Sequence, residues 1–195
     1  MDRYETVNIL DMLEAIGEDE LVAILSDFSC PKNPEIETFV RKNALDFAKK
    51  KISITYMVMD STNGDLVSIF ALTHKALEIN CTGLSSTTQK KLSRYAQYDK
   101  ESKICSVSAF LIAQFGKNYV KECPDGWSGD RLMEKTFEVL VSIQKAIGGG
   151  IVYLECEEKE ELLSFYQNEN NRFHPFNERY SDDDQTKYIQ LLRLF

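Results

Sequence analysis

Histidine is nearly missing from this chain of 195 residues. Its two copies, His74 and His174, stand far apart, so a histidine-rich metal centre is all but excluded and no metal is expected. The five cysteines (Cys30, Cys81, Cys105, Cys123, Cys156) are odd in number, scattered, and never in a CxxC pair. That spacing argues against structural zinc and predicts reduced thiols in a cytoplasm. No run approaches the roughly 18 consecutive apolar residues of a membrane span. The opening Met1-Asp2-Arg3-Tyr4-Glu5 lacks the basic-then-apolar pattern of a secretory signal, so a cytoplasmic location with no membrane partner is expected. Internal repeats, low-complexity tracts and composition breaks are absent as well. One domain over residues 1–195, with room for a proper core, is the expectation.

What is abundant is acid. The net charge is −8 at neutral pH. It is spread unevenly, about −3 over residues 1–100, balanced over 101–150 and about −5 over 151–195. Such a chain is repelled on average by nucleic acid and by anionic membranes. Only the neutral middle could receive phosphates.

That middle organises the chain. Ile104 to Phe115 is an apolar run that reads as a strand buried on both faces. A loop with Gly116, Gly126 and Gly129 follows, and Ser128 stands where a helix N-cap would. The helix places Leu132, Met133, Thr136, Phe137, Leu140, Val141 and Ile147 on one stripe. Gly148-Gly149-Gly150 stops it, and Ile151 to Cys156 is the next strand. Strand, helix and strand at this spacing make a parallel βαβ unit with a right-handed crossover. A glycine-bearing turn into a helix N-terminus presents backbone N–H groups and positive dipole, which suits a phosphate. Many such turns bind nothing, and an ordinary tight turn is about equally compatible with these residues.

Before this unit, Leu21 to Leu25 fits either a strand or a helical turn. Asn33 can cap a helix with Pro34 at its first position, and Ile36, Phe39, Val40, Ala44, Phe47 and Ala48 form its apolar stripe up to Lys49-Lys50-Lys51. Ile52 to Asp60 and Leu66 to Lys75 flank an Asn63-Gly64 turn, a strong hairpin signal. Ser85 to Lys103 is polar and reads as helix. After the unit, a helix over about 159–168 would bury Leu162, Leu163, Phe165 and Tyr166, and Asn170-Asn171 can supply positive φ at its end. Ser181-Asp182-Asp183-Asp184 reads as a solvated turn before a last strand, Lys187 to Phe195. The sum is an α/β (α+β mixed) fold. It has a central mixed sheet with an antiparallel N-terminal part, a parallel βαβ unit, and helices on both faces.

Four stretches carry a resemblance: Phe28-Ser29-Cys30-Pro31 before Ile36-Glu37-Thr38-Phe39, Leu111 to Asn118, Ser128-Gly129-Asp130-Arg131-Leu132, and Leu163-Ser164-Phe165-Tyr166. With this order of elements the chain resembles the GNAT N-acetyltransferase superfamily, and within it the bacterial branch that includes toxin-type acetyltransferases of toxin–antitoxin pairs. The resemblance covers most of the chain from residue 28 onward. Two departures stand out. Trp127 replaces the first glycine of the family's pyrophosphate loop, and Asn170-Asn171-Arg172-Phe173 replaces the Gly-Phe that follows its Phe-Tyr motif.

The resemblance implies acetyl-CoA as co-substrate and transfer of its acetyl group to an amine. It assigns the backbone of Phe115, Gly116 and Lys117 to the pantetheine arm and the thioester carbonyl. The loop Trp127, Ser128, Gly129, Asp130 and Arg131 would take the pyrophosphate. Tyr166 becomes the general acid for the leaving thiolate, against its plain reading as a core aromatic. No base is identified, with Glu155, Glu157 or a water open. The acceptor could be a small amine, a protein amine or aminoacyl-tRNA. The toxin-branch resemblance favours aminoacyl-tRNA, for which Lys49, Lys50, Lys51, Lys90, Lys91 and Arg94 could form a patch, and the net charge opposes it. An antitoxin partner and a homodimer also fit the branch. The competing reading is a non-catalytic acyl-CoA-binding or protein-interaction module on the same fold, supported by Trp127 and by the altered tail of the Tyr166 motif.

Overall fold

Alternating apolar residues and one parallel pair build a mixed sheet of eight strands. The structure is a computed structural model that describes residues 3–99, 101–121, 126–181 and 185–195; Cys123 and the Asp182-Asp183-Asp184 turn lie outside the described residues. In chain order the strands are β1 (Tyr4–Asn8), β2 (Ile54–Asp60), β3 (Leu66–Asn80), β4 (Ala96–Tyr98), β5 (Ile104–Lys117), β6 (Ile151–Glu157), β7 (His174–Tyr180) and β8 (Lys187–Leu194). They run β1-β2-β3-β5-β6-β8-β7 across the sheet, with β4 paired to β5. The β5–β6 ladder is parallel, with Phe110 opposite Val152 and Leu111 opposite Tyr153. The other registers recorded, β1–β2, β2–β3, β4–β5, β6–β8 and β7–β8, are antiparallel. This is the mixed α/β fold read from the sequence. The chain divides into two compact units, residues 1–73 with 112–137, and residues 74–111 with 138–195.

The first unit packs helices on the N-terminal hairpin. The stretch Leu21 to Leu25 is helical, inside α2 (Glu18–Ser26) behind α1 (Ile9–Ile16). Leu21 and Leu25 are its buried pair, four residues apart as a helix face requires. The Asn33 carboxamide accepts from the N–H groups of Glu35 (3.1 Å) and Ile36 (3.2 Å), so α3 (Pro34–Thr38) starts on its expected cap. The helix does not continue evenly. A π-helical turn at Phe39–Asn43 separates α3 from α4 (Ala44–Lys49), and the extra residue turns Leu45 inward beside Ala44 and Ala48. Ile9, Phe28, Val40, Met57 and Ile69 fill the core between. At the sheet edge the Arg3 guanidinium grips buried Asp60 (2.6 Å), which Thr62 also bonds, and holds that carboxyl far below the usual range. This clasp fixes β1, and with it Tyr4.

In the second unit Leu77, Ile79, Leu92, Val107, Ile151 and Tyr153 form the core. Residues 85–103 are only partly helical. The helix α5 (Ser86–Leu92) ends before β4, whose pairing to β5 outweighs the helical bias of its polar residues. β5 is not buried on both faces in this unit, because Ser106 and Ser108 are exposed and Ser108 meets His74 Nε2 at 3.1 Å. Cys81 and Cys105 form a disulfide, which corrects the expectation of reduced thiols throughout. The end of β3 and the start of β5 bring their Cα atoms to 6.4 Å, a proximity hidden by 24 residues of separation. Cys30 and Cys156 are buried free thiols. The long helix α6 (Gly129–Ile147) buries Leu132, Met133, Thr136 and Leu140, while Val141 and Ile147 of the expected stripe are exposed. β7 is a strand that its polar sequence conceals, and α7 (Glu160–Gln167) precedes it. Among the described residues no helix is long and apolar enough to cross a membrane.

Candidate functional site

The loop entering α6 is set by one indole. Trp127 is buried, its Nε1–H donates to Ser68 Oγ on β3 (2.7 Å), and its ring lies 4.5 Å from that of Tyr4 at 48°. The bulk that replaces a glycine therefore leaves the loop on the core side. Next to it Ser128 Oγ accepts from the Arg131 N–H (3.2 Å) and Ser128 O accepts from Leu132 N–H (3.2 Å), the N-cap expected of it. Gly129 and Asp130 occupy the first turn. The Arg131 guanidinium sits 5.7 Å from the Tyr4 ring centroid and bonds Gly126 O at 3.5 Å. A capped helix of 19 residues, a glycine at its first position and an arginine beside it suit an anion. Asp130, in the first turn, has the wrong sign for an anion.

The same unit holds the end of β5, so Phe115, Gly116, Lys117 and the 127–131 loop belong to one body. Gly116 faces the α3 region closely: a Cβ there would lie 3.0 Å from Ile36 Cγ2 and 3.9 Å from Cys30 Sγ. Two residues of the resembling stretches, neither of them expected to have a role of its own, hold this meeting. Asn118 is buried, accepts from Ser29 N–H (2.9 Å) and donates to Leu66 O (2.9 Å). Glu37 accepts from Cys30 N–H (2.7 Å) and pairs with Arg41 (2.9 Å), and these bonds lower its pKa, the Cys30 bond most. A polar side chain beside a tight turn is the signal that could have found both. Pro34, Glu35, Thr38, Phe39, Asn43 and Phe47 line an open groove of about 470 Å³ with Gln114, the residue before Phe115. The π-helical turn contributes its wall, a position such turns often take at functional sites.

Tyr166 lies in the second unit, on α7. It is buried, with its ring 5.0 Å from Phe165 and 6.1 Å from Phe173, and burial pushes its phenol well above its ordinary value. It carries its proton throughout the neutral range. Positive φ after α7 falls on Arg172 (55°), not on Asn170 or Asn171. Asn168 Oδ1 already takes the N–H groups of Asn170 (2.9 Å) and Asn171 (2.8 Å), which leaves the left-handed step to the next residue. Arg172 thus stands in the conformation that glycine prefers. Arg172→Gly is expected to leave stability unchanged or raise it by up to about 1 kcal/mol in urea titration. A loss beyond that would mean the Arg172 Nε bond to Glu169 O (2.6 Å) matters more than the backbone.

The two carboxylates open as bases are engaged: Glu155 pairs with Arg179 (3.0 Å) and Glu157 with Lys159 (2.5 Å). Among the described residues no cluster of His, Cys, Asp or Glu could hold a metal ion.

No protein-family model and no curated protein matches the chain. Solved structures do. AtaT complexed with acetyl-methionyl-tRNAfMet is similar over 98% of this chain and 94% of that one, with 15% identity and a TM-score of 0.67. A point mutant of the AtaT toxin bound to the C-terminus of the antitoxin AtaR and acetyl-CoA matches over 99% and 94%, with 14% identity and a TM-score of 0.62. The KacTA–DNA complex matches over 98% and 92%, with 14% identity and a TM-score of 0.60. At these identities the likeness shows the fold. The chain has the GNAT fold of the acetyltransferase toxins, as its sequence resemblance implied.

Proposed function

We propose that this chain is an acetyl-CoA-dependent N-acetyltransferase, one domain over residues 1–195, that acts in the cytoplasm on an amine. One observation carries the reading: a fold shared from end to end with a toxin that binds acetyl-CoA places a capped, glycine-first, arginine-bearing helix N-terminus behind β5. Bound acetyl-CoA supplies the acetyl group. Backbone N–H groups of residues 128–131 and the Arg131 side chain hold its pyrophosphate, with the Trp127 side chain serving the loop from inside. The backbone of Phe115, Gly116 and Lys117 pairs with the pantetheine arm and polarises the acetyl carbonyl. Tyr166 keeps a proton for the leaving thiolate. The groove beside Gln114 receives the acceptor's side chain, and its Phe39 and Phe47 walls favour an apolar one. Small amines, protein amines and aminoacyl-tRNA remain the acceptor classes, and an antitoxin protein and a second copy of the chain are the partners the fold suggests.

The test is a thermal melt with added acetyl-CoA. At 100 times its dissociation constant the ligand stabilises by about 2.7 kcal/mol, a shift of several degrees. No shift would remove the reading. A shift without CoA release on any amine would favour a binding module on the same fold, the alternative that the Trp127 and Arg172 departures motivate.

A further inference from the structure

The start of α6 leans on a strand that is distant in the chain. Trp127 and Arg131, the two large side chains of residues 126–131, meet the same ring. The Tyr4 centroid lies 4.5 Å from the indole and 5.7 Å from Arg131 Cζ. Tyr4 is buried at the start of β1, opposite Asp60 of β2. Its neighbour Arg3 pins that end of the strand twice. The Arg3 side chain binds Asp60 through Nε (2.9 Å) and Nη2 (2.6 Å). Its carbonyl accepts from Ser61 N–H (2.8 Å) and from the Ser61 hydroxyl (2.8 Å). A ring anchored in this way cannot follow a mobile side chain, so the side chain must come to the ring.

Arg131 needs such a seat. It is exposed, its guanidinium bonds Gly126 O at the long distance of 3.5 Å, and among the described residues no carboxylate pairs with it. An arginine loose in solvent spreads over many rotamers, and each that points away is lost to an anion at the helix start. A guanidinium within about 6 Å of an aromatic centroid is drawn to the negative face of the ring. The Arg3 guanidinium lies by the same ring, at 5.4 Å, but Asp60 neutralises it. Arg131 therefore keeps its charge for a ligand while the ring sets its direction.

We propose that Tyr4 is a positioning residue for the phosphates of acetyl-CoA: its ring face holds the Arg131 guanidinium over the start of α6, so that strand β1 sets part of the affinity of the cofactor site. The inference rests on the acetyltransferase reading above and adds to it a residue from outside the loop and from outside every stretch that carries the family resemblance.

Calorimetric titration with acetyl-CoA tests it. Tyr4→Phe keeps the ring face and should bind within about twofold of the wild type. A pentafluorinated phenylalanine at the same position keeps the shape of the ring and reverses the charge of its face, so binding should weaken about fourfold. Both rings fill the space beside Trp127, and neither opens a cavity there. In an Arg131→Ala background, itself about tenfold weaker, the two rings should bind alike, because the partner through which they act is gone. Arg131→Lys is an exposed change that keeps the charge and loses the planar group, and it should cost about threefold. A fluorinated ring that binds as tightly as Tyr4→Phe overturns the proposal. So does a loss of equal size with and without Arg131, since the ring would then act by packing Trp127. Wild-type affinity in Arg131→Lys overturns it as well. A wild type that binds no acetyl-CoA removes the acetyltransferase reading and this inference with it. Binding without coupling between Tyr4 and Arg131 removes this inference alone.

Discussion

Tyr166→Phe is expected to bind acetyl-CoA as the wild type does and to transfer acetyl at least roughly 10²-fold more slowly, the size of effect for a positioned proton donor. The substitution removes one oxygen and keeps the ring, so the contacts with Phe165 and Phe173 survive. Its stability cost should stay near 1 kcal/mol. The pH dependence sharpens the test. Burial raises the Tyr166 pKa above its ordinary 10.0, so the folded protein holds this proton where the unfolded chain has begun to lose it. Any stabilisation from that is full below about pH 10 and falls as pH rises beyond it. An alkaline decline in kcat attributable to Tyr166 must therefore lie above that pH. A Tyr166→Phe protein with wild-type turnover on its acceptor ends the assignment, and so does a decline at pH 8 that the substitution abolishes. Melting and urea titration read the structural alternative separately, since a mere core aromatic would lose stability and not rate.

Gly129→Glu should abolish acetyl-CoA binding and leave the fold intact. The residue opens α6, where the expected pyrophosphate approaches the backbone, and a carboxylate there adds bulk and repulsion together. Its half-buried position and the Ser128 cap one residue earlier leave the helix able to form, and an acid in the first turn suits the helix dipole. Far-ultraviolet circular dichroism should match the wild type while the acetyl-CoA melt shows no shift. Unchanged affinity in this variant would mean that the loop has been assigned the wrong ligand. Loss of the fold would leave the loop's role to Arg131→Ala, an exposed change that should weaken binding about tenfold through one lost charge-assisted bond.

Local chemistry was legible wherever a short pattern decides it. Asn33 before Pro34, Ser128 before Gly129, Asn63-Gly64 between two apolar runs and the triple glycine after α6 each act within a few residues. The caps, the hairpin and the central βαβ unit accordingly lie where they were expected. Periodicity was less secure. The π-helical turn at Phe39–Asn43 adds a residue that no 3.6-residue stripe anticipates, and Val141 and Ile147 share the apolar spacing of α6 without being covered.

What the tertiary structure alone decided depends on partners distant in the chain. β7 exists because β8 pairs with it from Tyr180 opposite Lys187 back to His174 opposite Leu192, although its own residues are mostly exposed and polar. Cys81 meets Cys105 because two strand ends converge. The Trp127 indole is drawn inward by Ser68 and Tyr4, which come from two other strands. The cation runs looked alike in sequence, and only the positions of Glu18 and Asp46 show one of them neutralised. Sequence by itself settled fold class and the placement of the anion-suited helix start, because these follow from backbone propensities that act over a few residues. Burial, pairing and charge neutralisation arise between residues far apart, and so they waited on the folded chain.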